Sequence, residues 1–174
     1  MIRRLVILVV VLILMGGSAV AEETGYGISL GYGEADTDID IYRVGIKKDW
    51  PVQWLETQTG YVSGYFELSY NRWEFDDQDT NGFAFSPVFA YYFGDKDNPI
   101  RPYIEGGIGV TYIDEYRIGG RNLSTNFQFE DRIGAGVRWG FIDLNFRYMH
   151  YSNASIKGPN DGIDIFLFTT SIQF

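Results

Sequence analysis

Apolar and polar residues alternate along most of the chain with a period of two, which turns every second side chain to the same face of a strand. Tyr26, Ile28, Leu30 and Tyr32 alternate with Gly27, Ser29, Gly31 and Gly33, and Tyr42, Val44 and Ile46 with Arg43, Gly45 and Lys47. Val62, Phe66, Leu68 and Tyr70 stand against Ser63, Tyr65, Glu67, Ser69 and Asn71. Phe83, Phe85, Phe89, Tyr91 and Phe93 make the next row, interrupted by Pro87; Ile104, Ile108, Val110 and Tyr112 follow. The last three segments alternate most clearly. Phe127, Phe129, Ile133, Ala135, Val137 and Trp139 oppose Gln128, Glu130, Arg132 and Arg138. Ile142, Leu144, Phe146 and Tyr148 oppose Asp143, Asn145, Arg147 and Met149, and Phe166, Phe168, Thr170, Ile172 and Phe174 close the chain. The pattern predicts about eight strands, an even number and the usual minimum for a bacterial transmembrane barrel.

Alternation alone leaves the medium open, because a soluble lipocalin-like barrel would turn the apolar row inward. Three features favour an all-β, eight-stranded, antiparallel up-and-down transmembrane β-barrel. The polar row holds Arg, Glu, Asp and Asn, suited to a hydrated interior network in a barrel too narrow to be a pore. The apolar row is rich in Phe, Tyr and Trp, as a wall flanked by interfacial aromatic girdles requires. The chain ends on Phe174 after an alternating strand, resembling the carboxy-terminal insertion signal of outer-membrane barrels.

The amino terminus agrees with that destination. Arg3 and Arg4 precede an apolar run from Leu5 to Met15 and an Ala19-Val20-Ala21 sequence, the layout of a secretory signal cleaved after Ala21. The run is too short for a transmembrane helix, which needs ~20 apolar residues. Residues 1–21 are thus expected to be removed and 22–174 to form one outer-membrane domain. Loss of Arg3 and Arg4 leaves 12 of the 14 basic residues against 23 acidic ones, a net charge of −11. So acidic a surface is ill suited to tracking nucleic-acid phosphates. With no cysteine and one histidine, neither a disulfide framework nor a zinc, copper or haem site is expected. The composition leaves oligomeric state open, a homodimer included.

With both termini in the periplasm, residues 49–59, 94–99 and the tight Gly140-Phe141 turn are expected on the periplasmic side. Residues 34–38, 74–81, 116–124 and 153–162 are expected outside. The run Asp77-Gln78-Asp79-Thr80-Asn81-Gly82 copies the first half of a calcium-binding EF-hand loop, but the position of its last ligand is Val88. Asn81-Gly82 reads instead as a hairpin turn.

The segment His150-Tyr151-Ser152 carries the chemistry. The chain's single histidine lies two residues before a serine, on the row assigned to lipid, where ionisable groups are unfavourable away from the interface. Counting back from Phe174 puts Asp164 on the outward row too; ten residues at ~3.3 Å with a tilt of ~40° rise about 25 Å, the height of an apolar band. If Gly140-Phe141 is a two-residue turn, paired residue numbers sum to 281, and Asp131 stands directly opposite His150. A nucleophile, a base and two candidate acids then share one patch of the outer wall. The competing reading is an interfacial polar belt on a non-enzymatic barrel, an adhesin or envelope scaffold acting through its acidic loops.

The stretch from His150 to Asp164, with its Ser152, Asn153 and Asn160, closely resembles the hallmark of the lipid A 3-O-deacylase family. Phe129 to Gly136, Pro102 to Gly109 and Ser86 to Phe89 resemble further blocks of that family. The resemblance implies a hydrolase of the bacterial outer membrane, active at the outer leaflet without cofactor or metal. It implies hydrolysis of the ester at the 3 position of lipid A, within lipopolysaccharide, with release of a 3-hydroxyacyl chain. It further implies Ser152 as nucleophile, His150 as general base, and Asn153 and Asn160 as oxyanion or orienting groups. The family's third member is glutamate, and here Asp164 stands in that place, one methylene shorter, with Asp131 as the alternative acid. A phospholipase or acyltransferase would use the same residues.

Overall fold

The computed structural model describes residues 25–35 and 38–174; the expected signal segment, residues 1–21, lies outside them. Eight long strands form the wall: β1 (Tyr26–Ala35), β2 (Asp40–Asp49), β4 (Gly60–Phe75), β5 (Gln78–Phe93), β6 (Ile100–Ile113), β9 (Phe127–Trp139), β10 (Ile142–Ser152) and β11 (Ile163–Gln173). Each pairs antiparallel with its neighbour, and β11 returns to β1 with Gly27 opposite Gln173 and Ala35 opposite Ile165. Closure leaves no sheet edge, which a lipid-embedded sheet cannot tolerate. Three short strands sit outside the wall: β3 (Trp54–Thr57) against β4, and the β7 (Arg117–Ile118) and β8 (Arg121–Asn122) hairpin.

The two faces of the wall have opposite character. Ile133, Phe146 and Phe83 are more than half exposed, whereas Arg43, Lys47, Glu67, Glu130 and Arg147 are buried inside. Burying such charges is costly unless each is paired. Pairing is dense here. Arg43 spans Glu130 at 2.8 Å and Glu67 at 3.1 Å, Arg147 bridges Glu105 at 2.8 Å, and Arg132 contacts both Glu67 and Glu130. A lattice of ion pairs therefore crosses the interior, and the Lys47 ammonium lies over the Tyr65 ring at 4.8 Å.

Toward the outer end the interior turns apolar. Ile41, Trp73, Met149 and Ile165 are buried there, and the β7–β8 hairpin folds over them, inserting Ile118 with Leu123 just beyond it. This cap was not anticipated, because Met149, Ile163, Ile165 and Leu167 make the inward row of β10 and β11 as apolar as the outward one.

Two local expectations change. Asn81-Gly82 is not a turn: both residues lie within β5, opposite Arg72 and Asn71, and the reversal falls at Asp76-Asp77, with Asp76 at φ 49°. Asn81 is held in the sheet by Asp114, which accepts its backbone N–H at 2.7 Å and its side-chain amide at 2.9 Å. Arg72, bonded to Glu74 at 2.7 Å and Asp79 at 2.6 Å, clips the tip. The expected external loop over residues 74–81 is thus mostly paired strand, and the 49–59 loop contains β3.

Candidate active site

Strand parity and register place the candidate residues. The β9–β10 turn pairs Ile142 with Trp139, so His150 lies opposite Asp131 and Ser152 opposite Phe129. On its other side His150 faces Asp164 of β11. Asp131, His150 and Asp164 therefore form one row around the barrel, all on the lipid side near the outer ends of their strands.

Between His150 and Ser152, Tyr151 points the opposite way. Its hydroxyl donates to Glu130 at 2.5 Å, and its ring packs edge-on against Trp73 at 4.8 Å. A slip of one residue would pull both contacts out of the core and turn His150 and Ser152 inward. The buried tyrosine thus fixes the outward presentation of its two neighbours.

The imidazole is oriented from one side only. His150 Nδ1 lies 2.6 Å from Asp164 Oδ1, and the Tyr148 hydroxyl donates to that same oxygen at 2.7 Å. Among the described residues no hydrogen bond reaches the Asp131 carboxylate, so the register that set it opposite His150 does not make it the imidazole's partner. His150 and Asp164 are 37% and 41% exposed at their side chains, so the pair is open to a ligand approaching along the wall.

With Nδ1 bound to Asp164, Nε2 is the free basic position. The strands pair Tyr151 with Ile163, so Gly162 continues the register to the level of Ser152. A Cβ built on Gly162 would lie 2.8 Å from His150 Cε1 and 3.4 Å from Nε2, so the ring lies close over this glycine. Gly162 also has φ +65°, a left-handed conformation that favours glycine. Side chains two residues apart on a strand stand about 6.6 Å apart on one face, a gap that an imidazole lying along the strand can span. Among the described residues the recorded partner of the Ser152 hydroxyl is the Ala154 N–H, 3.4 Å away.

The loop after Ser152 is held from beneath. Asn153 is buried, and its amide donates to Leu123 O at 2.7 Å and Lys157 O at 2.8 Å. Its backbone N–H goes to Asn160 Oδ1 at 3.1 Å. Of the two asparagines, Asn153 therefore organises the loop, and its side chain is not presented outward. The β7–β8 hairpin clamps the far end: Asn122 N–H donates to Asp161 Oδ2 at 2.7 Å, Arg121 to Asp161 O at 3.3 Å, and Ser124 Oγ to Pro159 O at 2.5 Å. Tyr148, Gly162 and this clamp escaped the sequence reading. Tyr148 carried a usable signal, lying two residues before His150 on the same face; the clamp carried none, since about 40 residues separate its halves.

Among the described residues no group of three or more His, Cys, Asp or Glu side chains could hold a metal ion. What the patch offers is a hydroxyl, an imidazole oriented by a carboxylate, and nearby N–H donors, the components of nucleophilic acyl transfer.

Comparison with known proteins identifies a family of ester hydrolases. A family model described as lipid A 3-O-deacylase (PagL) matches residues 40–173. A lipid A deacylase PagL of Pseudomonas aeruginosa is 40% identical over 149 residues, covering 83% of this chain and 84% of the relative. The PagL of Bordetella bronchiseptica is 32% identical over 174 residues, covering 95% and 93%. The crystal structure of the outer membrane enzyme PagL superposes with a TM-score of 0.80 at 37% identity, over 85% of this chain and 99% of that one. The amino-terminal β-barrel domain of Pseudomonas aeruginosa OprF, at 17% identity and a TM-score of 0.52, shares the fold, over 87% of this chain and 98% of that one.

Proposed function

Since the chain belongs to the lipid A 3-O-deacylase family, an outer-membrane group of ester hydrolases, we propose that it removes the acyl chain at the 3 position of lipid A by a Ser152–His150–Asp164 mechanism. The observation that carries the mechanism is the 2.6 Å His150–Asp164 contact on a lipid-facing wall, with Ser152 two residues further along the same face.

The acyl chain lies against the barrel and its ester reaches the rim. His150 Nε2 takes the Ser152 proton as Oγ attacks the carbonyl carbon, and Asp164 holds the imidazolium that forms. The tetrahedral oxyanion is received by the Ala154 N–H, with the Asn160 side-chain amide beside it, since Asn160 uses its carbonyl on Asn153. Collapse expels the sugar oxygen, which takes the proton from His150. Water from the external side, deprotonated by the same imidazole, then attacks the acyl-serine ester and releases a fatty acid. Asn153 contributes by shaping the loop.

Mass spectrometry of lipid A from cells producing the wild type, Ser152→Ala or neither decides the mechanism. The wild type is expected to yield lipid A short of one ester-linked chain, and the alanine variant the pattern of empty cells. Equal deacylation by both proteins would overturn the serine mechanism.

A further inference from the structure

Along the outward rows of β10 and β11 the aromatic side chains are Phe146, Tyr148, Phe166 and Phe168. A lipid-facing wall asks only for the apolar ring, and at three of these four positions that is what it has. Tyr148 adds a hydroxyl. A tyrosine that merely belonged to an interfacial girdle would send this group to headgroups or water. The Tyr148 hydroxyl instead donates to Asp164 Oδ1 at 2.7 Å.

The strand register makes that contact a diagonal one. Tyr148 stands opposite Phe166 and His150 opposite Asp164, so Tyr148 reaches across to the neighbouring pair, a span within the range of an aromatic side chain. Its ring is held on the way: the centroid lies 5.5 Å from that of Phe166, which stacks on Phe146 at 6.0 Å. Two donors therefore meet at one oxygen, the phenol at 2.7 Å and His150 Nδ1 at 2.6 Å. Among the described residues the second carboxylate oxygen, Oδ2, has no recorded hydrogen bond. The Asp164 side chain is also too exposed for packing alone to fix its torsions. A single bond from the imidazole leaves the carboxylate free to turn about that contact. A second bond, from a ring anchored in the wall, stops the turning.

We infer, resting on the proposed role of Asp164 as the acid, that Tyr148 is a positioning residue of the reaction, holding the Asp164 carboxylate where His150 Nδ1 can use it. The hydroxyl has two opposed effects. It draws charge from the oxygen that faces the imidazolium, and it keeps that oxygen in place. Orientation dominates, because a carboxylate turned away supplies neither contact with the imidazolium nor control of its tautomer. Tyr148 acts through Asp164, so once the carboxylate is gone the hydroxyl contributes nothing to turnover. Phenylalanine keeps the face of the wall, so loss of the hydroxyl falls on kcat and spares KM.

The test is a double-mutant cycle on purified protein: wild type, Tyr148→Phe, Asp164→Ala and the two combined, with kcat and KM measured on lipid A in mixed micelles and Ser152→Ala as the blank. Tyr148→Phe is expected to lower kcat about tenfold and to leave KM within about twofold. Added to Asp164→Ala, it is expected to change kcat by less than about twofold. The same loss in both backgrounds would mean that the hydroxyl serves the wall or the substrate, and would overturn the inference; so would a wild-type kcat for Tyr148→Phe. A wild-type kcat for Asp164→Ala would defeat the acid assignment and the inference with it, whereas a slow Asp164→Ala with equal Tyr148→Phe losses defeats the positioning role alone. Heat-modified gel mobility reports whether each barrel has folded; should Asp164→Ala fail it, Asp164→Val, which suits a strand, takes its place in the cycle.

Discussion

Two aspartates flank His150 at matched register positions, and exchanging each for asparagine separates their contributions. Asp164 Oδ1 lies 2.6 Å from the imidazole and is 41% exposed at its side chain. Unit charges ~4 Å apart interact by about 1 kcal/mol in water and about 4 kcal/mol at an effective dielectric of ~20. A site half open to solvent and half to lipid falls between these limits, at about 2–3 kcal/mol. Asp164→Asn should therefore slow deacylation by roughly 30- to 150-fold. Asparagine keeps the shape and can still accept from Tyr148, so the loss reports charge and tautomer control, as expected for the acid of a triad. Asp131 stands on β9 directly opposite His150 but makes no hydrogen bond to it. With no hydrogen bond to the imidazole it acts on it by charge alone, so Asp131→Asn should cost about 0–1 kcal/mol, at most about fivefold. The assay is the initial rate of acyl release from lipid A in mixed micelles, followed by mass spectrometry, on protein shown to be folded by heat-modified mobility. A loss for Asp131→Asn equal to or greater than that for Asp164→Asn would refute the assignment of the acid.

Two further substitutions examine the supports of the site. Gly162→Ala places a methyl 2.8 Å from His150 Cε1 at a residue with φ +65°, so the ring must be displaced from its present position. Activity is expected to fall about tenfold or more, while the melting temperature, set by the wall, moves little. Asp161→Ala removes the acceptor of the Asn122 N–H and loosens the clamp on the loop after Ser152. The expected cost of about 1–3 kcal/mol in local stability should appear as faster amide exchange over residues 153–162 and a lower kcat. Unaltered exchange in that loop would rule out the clamp.

Strand alternation, together with the charged character of the polar row and the aromatic character of the apolar one, determined the architecture, because in a barrel each residue has only two choices, lipid or lumen, and period two separates the two rows. The inward row carrying Arg43 and Glu130, and the outward row of Phe, Tyr and Ile, were legible for that reason, although which charges pair inside was not. So was the position of Asp131 opposite His150, since one two-residue turn sets every pairing along a hairpin. Local chemistry misled where it competed with register: Asn81-Gly82 has the composition of a turn, yet sixteen-residue strands carry the reversal to Asp76-Asp77. What only the tertiary structure decided was which of two equally placed aspartates bonds the imidazole. Parity puts both carboxylates on the right face, but the lean of the ring over Gly162 and the Tyr148 hydroxyl on Asp164 depend on side-chain torsions that no periodicity encodes.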